Sequence, residues 1–261
     1  MMNPLRISPI SVFRVWQRNA TVYRHTFLYN IVPNFFEPFL YLLGMGIGLG
    51  AYISGIEGIS YLQYISPGLL ATSAMMGASF EVTYNVYVKM HFGKTYDGMI
   101  TTPVCIEDIA VGEMFWAASR SFIYGGAFFI VLILFGLVNS IESVLVLGVI
   151  VLIGLMFAGI GLTFTALVKD INLYNFYFTL FITPLFLFSG IFFPVHTLPG
   201  WIQSVAWYTP LYHAVNLCRT IQLGSATDPV WEELLWMILV SLAFFVSSVI
   251  LMRRRVLKGR G

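Results

Sequence analysis

Six runs of mostly apolar residues divide this sequence, near 30–53, 64–87, 113–138, 143–168, 172–193 and 232–252. Each is close to the ~20 residues that a helix needs to cross ~30 Å of hydrocarbon. Lipid offers no partner to an unpaired backbone N–H or C=O, so a crossing segment satisfies its backbone internally, as a helix. Composition agrees. The 261 residues are 58% hydrophobic and only 10% charged, against roughly 25% charged in an average soluble domain. The expected fold is an all-α polytopic membrane protein with six transmembrane helices, built as a single domain over 1–261. No repeat, low-complexity tract or linker divides it.

Charge sets the expected orientation. Arg6, Arg14, Arg18 and Arg24 precede the first run, and Lys89 and Lys94 follow the second. Lys169 follows the fourth, while Arg253, Arg254, Arg255, Lys258 and Arg260 follow the sixth. Twelve of the 14 basic residues thus fall on one side, leaving Arg120 within the third run and Arg219 in the fifth loop. By the positive-inside rule both termini are cytoplasmic. The basic, amphipathic N-terminus does not read as a cleavable signal peptide. Cys105 and Cys218 fall on opposite sides, which excludes an intrachain disulfide and makes them small packing residues.

Residues 11–27 place Phe13, Trp16, Ala20, Tyr23 and Phe27 on one helical face and Arg14, Arg18 and His25 on another. The pattern predicts an interface helix in the headgroup layer, although an ordinary amphipathic helix would read the same way. In "LGMGIGLG", Gly44 and Gly48 are one turn apart and predict close helix packing. Glu37, Glu81 and Arg120 stand at membrane depth, where a charge costs roughly 2.5–3.5 kcal/mol and seeks a partner. Glu81 and Arg120 have matching depths, so the expectation is an intramembrane ion pair, static or moving. Glu37, beside Pro33 and Pro38, is expected to snorkel to the interface. The external region 194–231 reads as two short re-entrant helices, with Pro199 and Pro210 as helix starters and Thr209 as an N-cap. Trp201, Trp207, Tyr208 and Tyr212 suit the outer boundary. The aromatics of 172–181 are either stacking faces for sugars or plain packing.

The most polar internal passage, 88–109, contains Gly93-Lys94-Thr95. A phosphate-binding loop would need a glycine at position 88, a strand before it and a helix after it. Position 88 is Val88, so the nucleotide reading fails. Phe92, Tyr96, Met99 and Ile100 instead follow helical spacing beside Lys94 and Asp97, and such an exposed apolar face marks a partner or a membrane surface. Thr102-Pro103 ends that helix, and Glu107 and Asp108 favour the first turn of the next. Residues 89–102 are therefore the expected coupling region.

Three passages carry a resemblance: "YDGMITTP" (96–103), "SGIFFPVHTLPGW" (189–201) and "PLYHAVNLCR" (210–219). They resemble ABC-2 type transporter permeases, the last through a Pro-Leu-x-His-x5-Arg signature at Pro210, Leu211, His213 and Arg219. The likeness spans the chain and is nearest to permeases of nodulation-type lipo-oligosaccharide exporters, with daunorubicin-resistance permeases more distant. It implies a homodimer working with two copies of a separate ABC ATP-binding subunit. It also implies export of an amphiphile such as a lipo-oligosaccharide, glycolipid or lipophilic drug, and makes Pro199, Trp201, Pro210, His213 and Arg219 an external gate. ATP and magnesium belong to the partner; the chain itself is expected to hold no cofactor or metal, to contact membrane lipids, and to bind no nucleic acid. The alternatives are an integral membrane enzyme acting on a lipid, or a channel. His25, His91, His196 and His213 are split between the two sides, and no HExxH or GxSxG occurs. Neither a selectivity loop nor a ring of charge is present.

Overall fold

The computed structural model describes residues 7–53, 55–138, 140–224 and 230–258. Arg6, Arg260, the side chains of Glu37 and Lys258, and residues 225–229 of the expected external region lie outside the described part. Among the described residues ten α-helices occur in this order: α1 Pro9–Tyr41, α2 Tyr61–Phe80, α3 Thr95–Ile100, α4 Ile106–Leu134, α5 Val146–Leu167, α6 Tyr174–Phe176, α7 Thr183–Phe188, α8 Gly200–Trp207, α9 Pro210–Leu223 and α10 Val230–Lys258. Wide π-helical turns extend or join several of them, at Leu42–Gly48, Glu81–Asn85, Val88–Phe92 and Tyr177–Ile182. Among the described residues there is no strand, only an isolated bridge between Ile56 and Ile59.

Four described stretches are long and apolar enough to cross a membrane: Ile106–Leu134, Ile141–Leu167, Ile171–Phe188 and Val230–Leu257. The expected first and second spans, 30–53 and 64–87, are not among them. In α2 the apolar run is diluted by buried hydroxyls that bond back to the helix, Ser66 to Gln63 O at 3.1 Å and Thr72 to Gly68 O at 2.9 Å. A capping box starts α2. Ser60 Oγ accepts from Gln63 N at 3.3 Å, and Gln63 Oε1 accepts from Ser60 N at 3.1 Å.

The expected interface helix is not a separate element. α1 runs without a break through 11–27 and into the expected first span, because no glycine or proline interrupts the sequence between Pro9 and Pro33. One face of this stretch packs inward. Val12, Val15, Asn19 and Tyr23 are buried, whereas Phe13 and Phe27 are exposed. That face lies along α4, where Val15 meets Gly112.

α2 is buried along nearly its whole length and packs against α4, α5 and α9; α5 in turn packs on α4 and α10. The approach is close where side chains are smallest. A Cβ on Gly154 would lie 2.8 Å from the Ala118 Cα, and one on Gly159 would lie 3.1 Å from the Phe244 backbone. Gly44 and Gly48 do not share this role: neither has a neighbour within 4 Å of a built Cβ, and it is Gly46 that meets Leu62. The two cysteines are free. Cys218 packs in the core, but Cys105 is exposed at the start of α4, not a packing residue.

The bundle has two chemically different ends. At one end the Tyr87 hydroxyl donates to Lys169 O at 3.1 Å, Arg253 pairs with Glu107 at 3.1 Å, and Ser8 N donates to Asp108 at 2.7 Å. Lys94, Lys169, Arg253, Arg254 and Arg255 belong to this end. At the other lie α8 and α9, where Arg219 is the sole lysine or arginine among the described residues.

The Gly154 contact is against backbone, which cannot rotate away. Gly154→Val is expected to cost about 1–3 kcal/mol through overpacking, read as a lowered thermal transition in detergent. Gly148→Val, on the same helix with nothing within 4 Å, is expected to leave the transition within about 0.5 kcal/mol of wild type.

Candidate functional site

The helix that begins as α2 continues to Phe92, and its two π-helical turns carry the charged side chains that meet α4, Glu81 in the first and Lys89 in the second. Such wide turns add a residue per turn and re-aim the side chains beyond them. Arg120 Nη1 donates to Glu81 Oε2 at 2.7 Å. Lys89 Nζ bridges two carboxylates, Glu81 Oε1 and Glu113 Oε2, at 2.7 Å each. Asn85 Nδ2 donates to Glu81 Oε2 at 2.7 Å, Arg120 also bonds the Tyr124 hydroxyl, and its guanidinium stands 4.8 Å from the Tyr23 ring centre.

The network holds two carboxylates and two cations, so it is neutral as a whole while every member is largely withdrawn from water. Isolated buried charges are very costly. Alternation of sign along the seam removes most of that cost. Equal depth predicts the meeting of Glu81 and Arg120. It does not predict Lys89 and Glu113, because Lys89 reads as a solvent-facing positive charge and Glu113 as a span terminus. A signal for them does exist. Lys89 lies eight residues after Glu81 and Glu113 seven before Arg120, which are matching offsets on two antiparallel helices.

The connecting segment joins this seam. Lys94 adopts a left-handed conformation with φ 45°, turning the chain into α3. Phe92 is 70% exposed, Lys94 and Asp97 are exposed, and Met99 and Ile100 are half-buried. Tyr96 differs from the expected docking stripe: it is 2% exposed. Six residues make too short a helix for one outward apolar face, so the central aromatic turns inward. Burial, and then the Glu113 carboxylate beside it, push the Tyr96 phenol well above its ordinary value of 10. The phenol therefore stays protonated at the edge of the charged seam. The Thr101 and Thr102 hydroxyls end α3 on Gly98 O at 2.7 Å and Met99 O at 2.6 Å. Asp108 then accepts from Cys105 N at 3.0 Å at the start of α4.

At the far end, α9 is tied to four neighbours: α2, the segment after α7, α8 and α10. Arg219 Nη2 donates to Gly190 O at 2.7 Å, and its guanidinium lies 4.1 Å from the Tyr64 ring centre. The same carbonyl accepts from the Tyr64 hydroxyl at 3.3 Å. Gly190 has φ +77°, a conformation that requires glycine in practice. His213 is buried with Glu233 on Nδ1 and Trp207 O on Nε2, the latter at 2.6 Å, and it stacks on Trp236 at 4.0 Å. The Trp207 carbonyl can only accept, so Nε2 is the donor on that side. Asn216 adds a bond to Glu233 at 3.2 Å. Sequence reasoning misses Glu233 and Trp236 on α10, since they stand in an apolar run beyond the signature.

Other expected gate residues are placed apart. Pro210 is buried at the first turn of α9, while Pro199 and Trp201 are exposed at the start of α8. Thr209 stands at the cap position but makes no side-chain cap; its hydroxyl donates back to Ala206 O at 2.6 Å. In 172–181 Tyr174 and Tyr177 are buried among Tyr84, Tyr87 and Phe164, Phe178 stacks on Phe80 at 4.5 Å, and Phe176 faces outward. Among the described residues no three His, Cys, Asp or Glu side chains gather as a metal site.

Comparison with known proteins gives this architecture its class. Residues 11–223 match the ABC-2 type transporter family. The chain is similar to Nodulation protein J of Rhizobium meliloti (strain 1021), 35% identical over 93% of each chain. It is also similar to Nodulation protein J of Rhizobium leguminosarum bv. trifolii, 36% identical over 94% of this chain and 93% of that one. A more distant likeness is to the inner membrane transport permease YadH of Escherichia coli (strain K12), 24% identical over 97% and 96%. The chain belongs to the ABC-2 type transporter family. It is a multi-pass membrane permease subunit of an ABC exporter, a transporter component and not an enzyme, and it pairs with an ABC ATP-binding subunit.

Removing one member of the charged seam leaves an opposite charge buried and alone. Lys89→Met is expected to destabilise the chain by about 3–5 kcal/mol, measured as the thermal transition in detergent. Adding Glu113→Gln restores neutrality, so the double variant is expected to recover most of that loss. A double variant no more stable than Lys89→Met would show that the seam does not act as one balanced unit.

Proposed function

We propose that the chain crosses the bacterial inner membrane six times with both termini cytoplasmic, and that two copies form a permease dimer served by two ATP-binding subunits. The observation that carries this reading is the gathering of cations at the bundle end that holds α3. Positive charge is retained on the cytoplasmic side, where a nucleotide-hydrolysing partner is available. The helices containing 30–53 and 64–87 complete six crossings, the second with Ser66, Thr72, Ser79, Glu81 and Thr83 turned into the protein. Gly44 and Gly48, which face open space, supply a close-approach surface for the second copy.

The substrate in this reading is an amphiphile: a lipo-oligosaccharide, glycolipid or lipophilic drug. A polar head moved through hydrocarbon costs several kcal/mol for each unsatisfied group. A seam between subunits lowers that barrier by shielding the head while the tail stays in lipid. ATP and magnesium act on the partner. Phe92, Lys94, Asp97, Met99 and Ile100 receive its movement, and Tyr96 carries it to the charged seam. Pro199, Trp201, Pro210, His213 and Arg219 form the external gate, with His213 and Arg219 fixing α9 in its closed position.

Orientation has a direct test, because Cys105 is exposed beside α3 and Cys218 is buried. In a Cys218→Ser background, a membrane-impermeant maleimide is expected to label Cys105 in inside-out vesicles and not in intact spheroplasts. The reverse pattern would overturn the proposed topology. Coupling is tested separately: Phe92→Asp, at an exposed position, is expected to leave membrane insertion intact while substrate-stimulated ATPase of the co-expressed partner falls at least tenfold (about 1.4 kcal/mol).

A further inference from the structure

We propose that the cavity between the ends of α5, α10 and the helix leading into α3 binds the phosphate of an anionic phospholipid headgroup. The cavity has a volume of about 720 Å³. Lys169, Arg254 and Arg255 line it as cations, with Asp97 as the one carboxylate in the lining. Asp170, next in sequence, turns its carboxylate into its own turn and accepts from Asn172 N at 2.8 Å.

The cations are not equivalent. Arg255 is fixed in place: it donates to Thr165 O and Val168 O at the end of α5 and contacts His91 Nε2 at 2.9 Å. His91 accepts from this guanidinium, and burial followed by the Arg255 charge lower its pKa, so the ring adds no charge near neutral pH. Lys169 and Arg254 are exposed. One fixed charge and two exposed, adjustable cations suit a singly charged phosphodiester.

The remaining wall explains why the phosphate is a lipid's. Met90, Leu167, Leu251 and Val256 form an apolar side of the same cavity. α5 ends at Leu167, two residues before Lys169, and the apolar run of α10 gives way at Arg253. The cavity therefore sits where hydrocarbon meets headgroup. Basic pockets between helices at that level attract anionic headgroups, each cation contributing about a fivefold change in affinity at low ionic strength. An acyl chain then lies along the apolar side.

The inference rests on the membrane placement proposed above but not on coupling to the partner, and it is tested with and without that partner. The full chain is delipidated in mild detergent, and phosphatidylglycerol or phosphatidylcholine is added back. Retention per chain is then read by native mass spectrometry. Phosphatidylglycerol is expected to be retained in preference to phosphatidylcholine. Lys169→Gln and Arg254→Gln are each expected to weaken its retention about fivefold, and together more than tenfold, with the thermal transition in phosphatidylcholine unchanged. Equal phosphatidylglycerol retention by the double variant would overturn the site. Full displacement by glycerol 3-phosphate would show that the cavity reads soluble phosphate and would overturn the lipid assignment. Loss of phosphatidylglycerol when the ATP-binding partner is co-purified would assign the cavity to protein docking instead.

Discussion

Burying four charges inside a lipid-embedded bundle constrains this structure more than any apolar contact does. Glu81, Lys89, Glu113 and Arg120 lie between two antiparallel helices, and each finds a partner at 2.7 Å. Apolar side chains tolerate a shifted register at modest cost. A buried ion does not, because a slipped helix would leave it facing hydrocarbon. The seam therefore sets the register of α4 against the helix of α2, and the small-residue contacts around it depend on that register. Gly77 meets Tyr124 only when these two helices are so aligned.

Much of this is legible in the sequence. Long apolar runs dictate helices, and the last four runs correspond to the four stretches long and apolar enough to cross. The pairing of Glu81 with Arg120 follows from equal depth, since two lone charges in an apolar run have few other partners. Three features are not legible, each for a physical reason. α1 is continuous through 11–27 because no glycine or proline stands between Pro9 and Pro33, and a drop in hydropathy is not a stop. π-helical turns at 81–85 and 88–92 leave no local composition signal, since they arise from tertiary demands on where Lys89 points. Tyr96 looks like an exposed docking residue because helical spacing alone cannot say which side of a six-residue helix faces the protein.

The end of the bundle that holds α9 shows how a short signature becomes a three-way junction. Arg219 reaches back to Gly190, His213 reaches forward to Glu233, and α9 is held between the end of α7 and the start of α10. The residues that resemble the family's pattern are half of each contact. Their partners, a carbonyl at a positive-φ glycine and a glutamate at the head of an apolar helix, lie outside the Pro-Leu-x-His-x5-Arg run, and a linear motif carries no information about them.

The bridging position of Lys89 has a mechanical corollary. Two unit charges at 2.7 Å moved apart by one ångström lose about 2 kcal/mol at an effective dielectric of ~20. Soft aliphatic packing would absorb such a shift across many weak contacts, each yielding a little. A single ammonium clasped by two carboxylates yields only by loosening one or the other. That junction is therefore stiff, and the cost of any strain there falls on two short contacts instead of spreading through the packing.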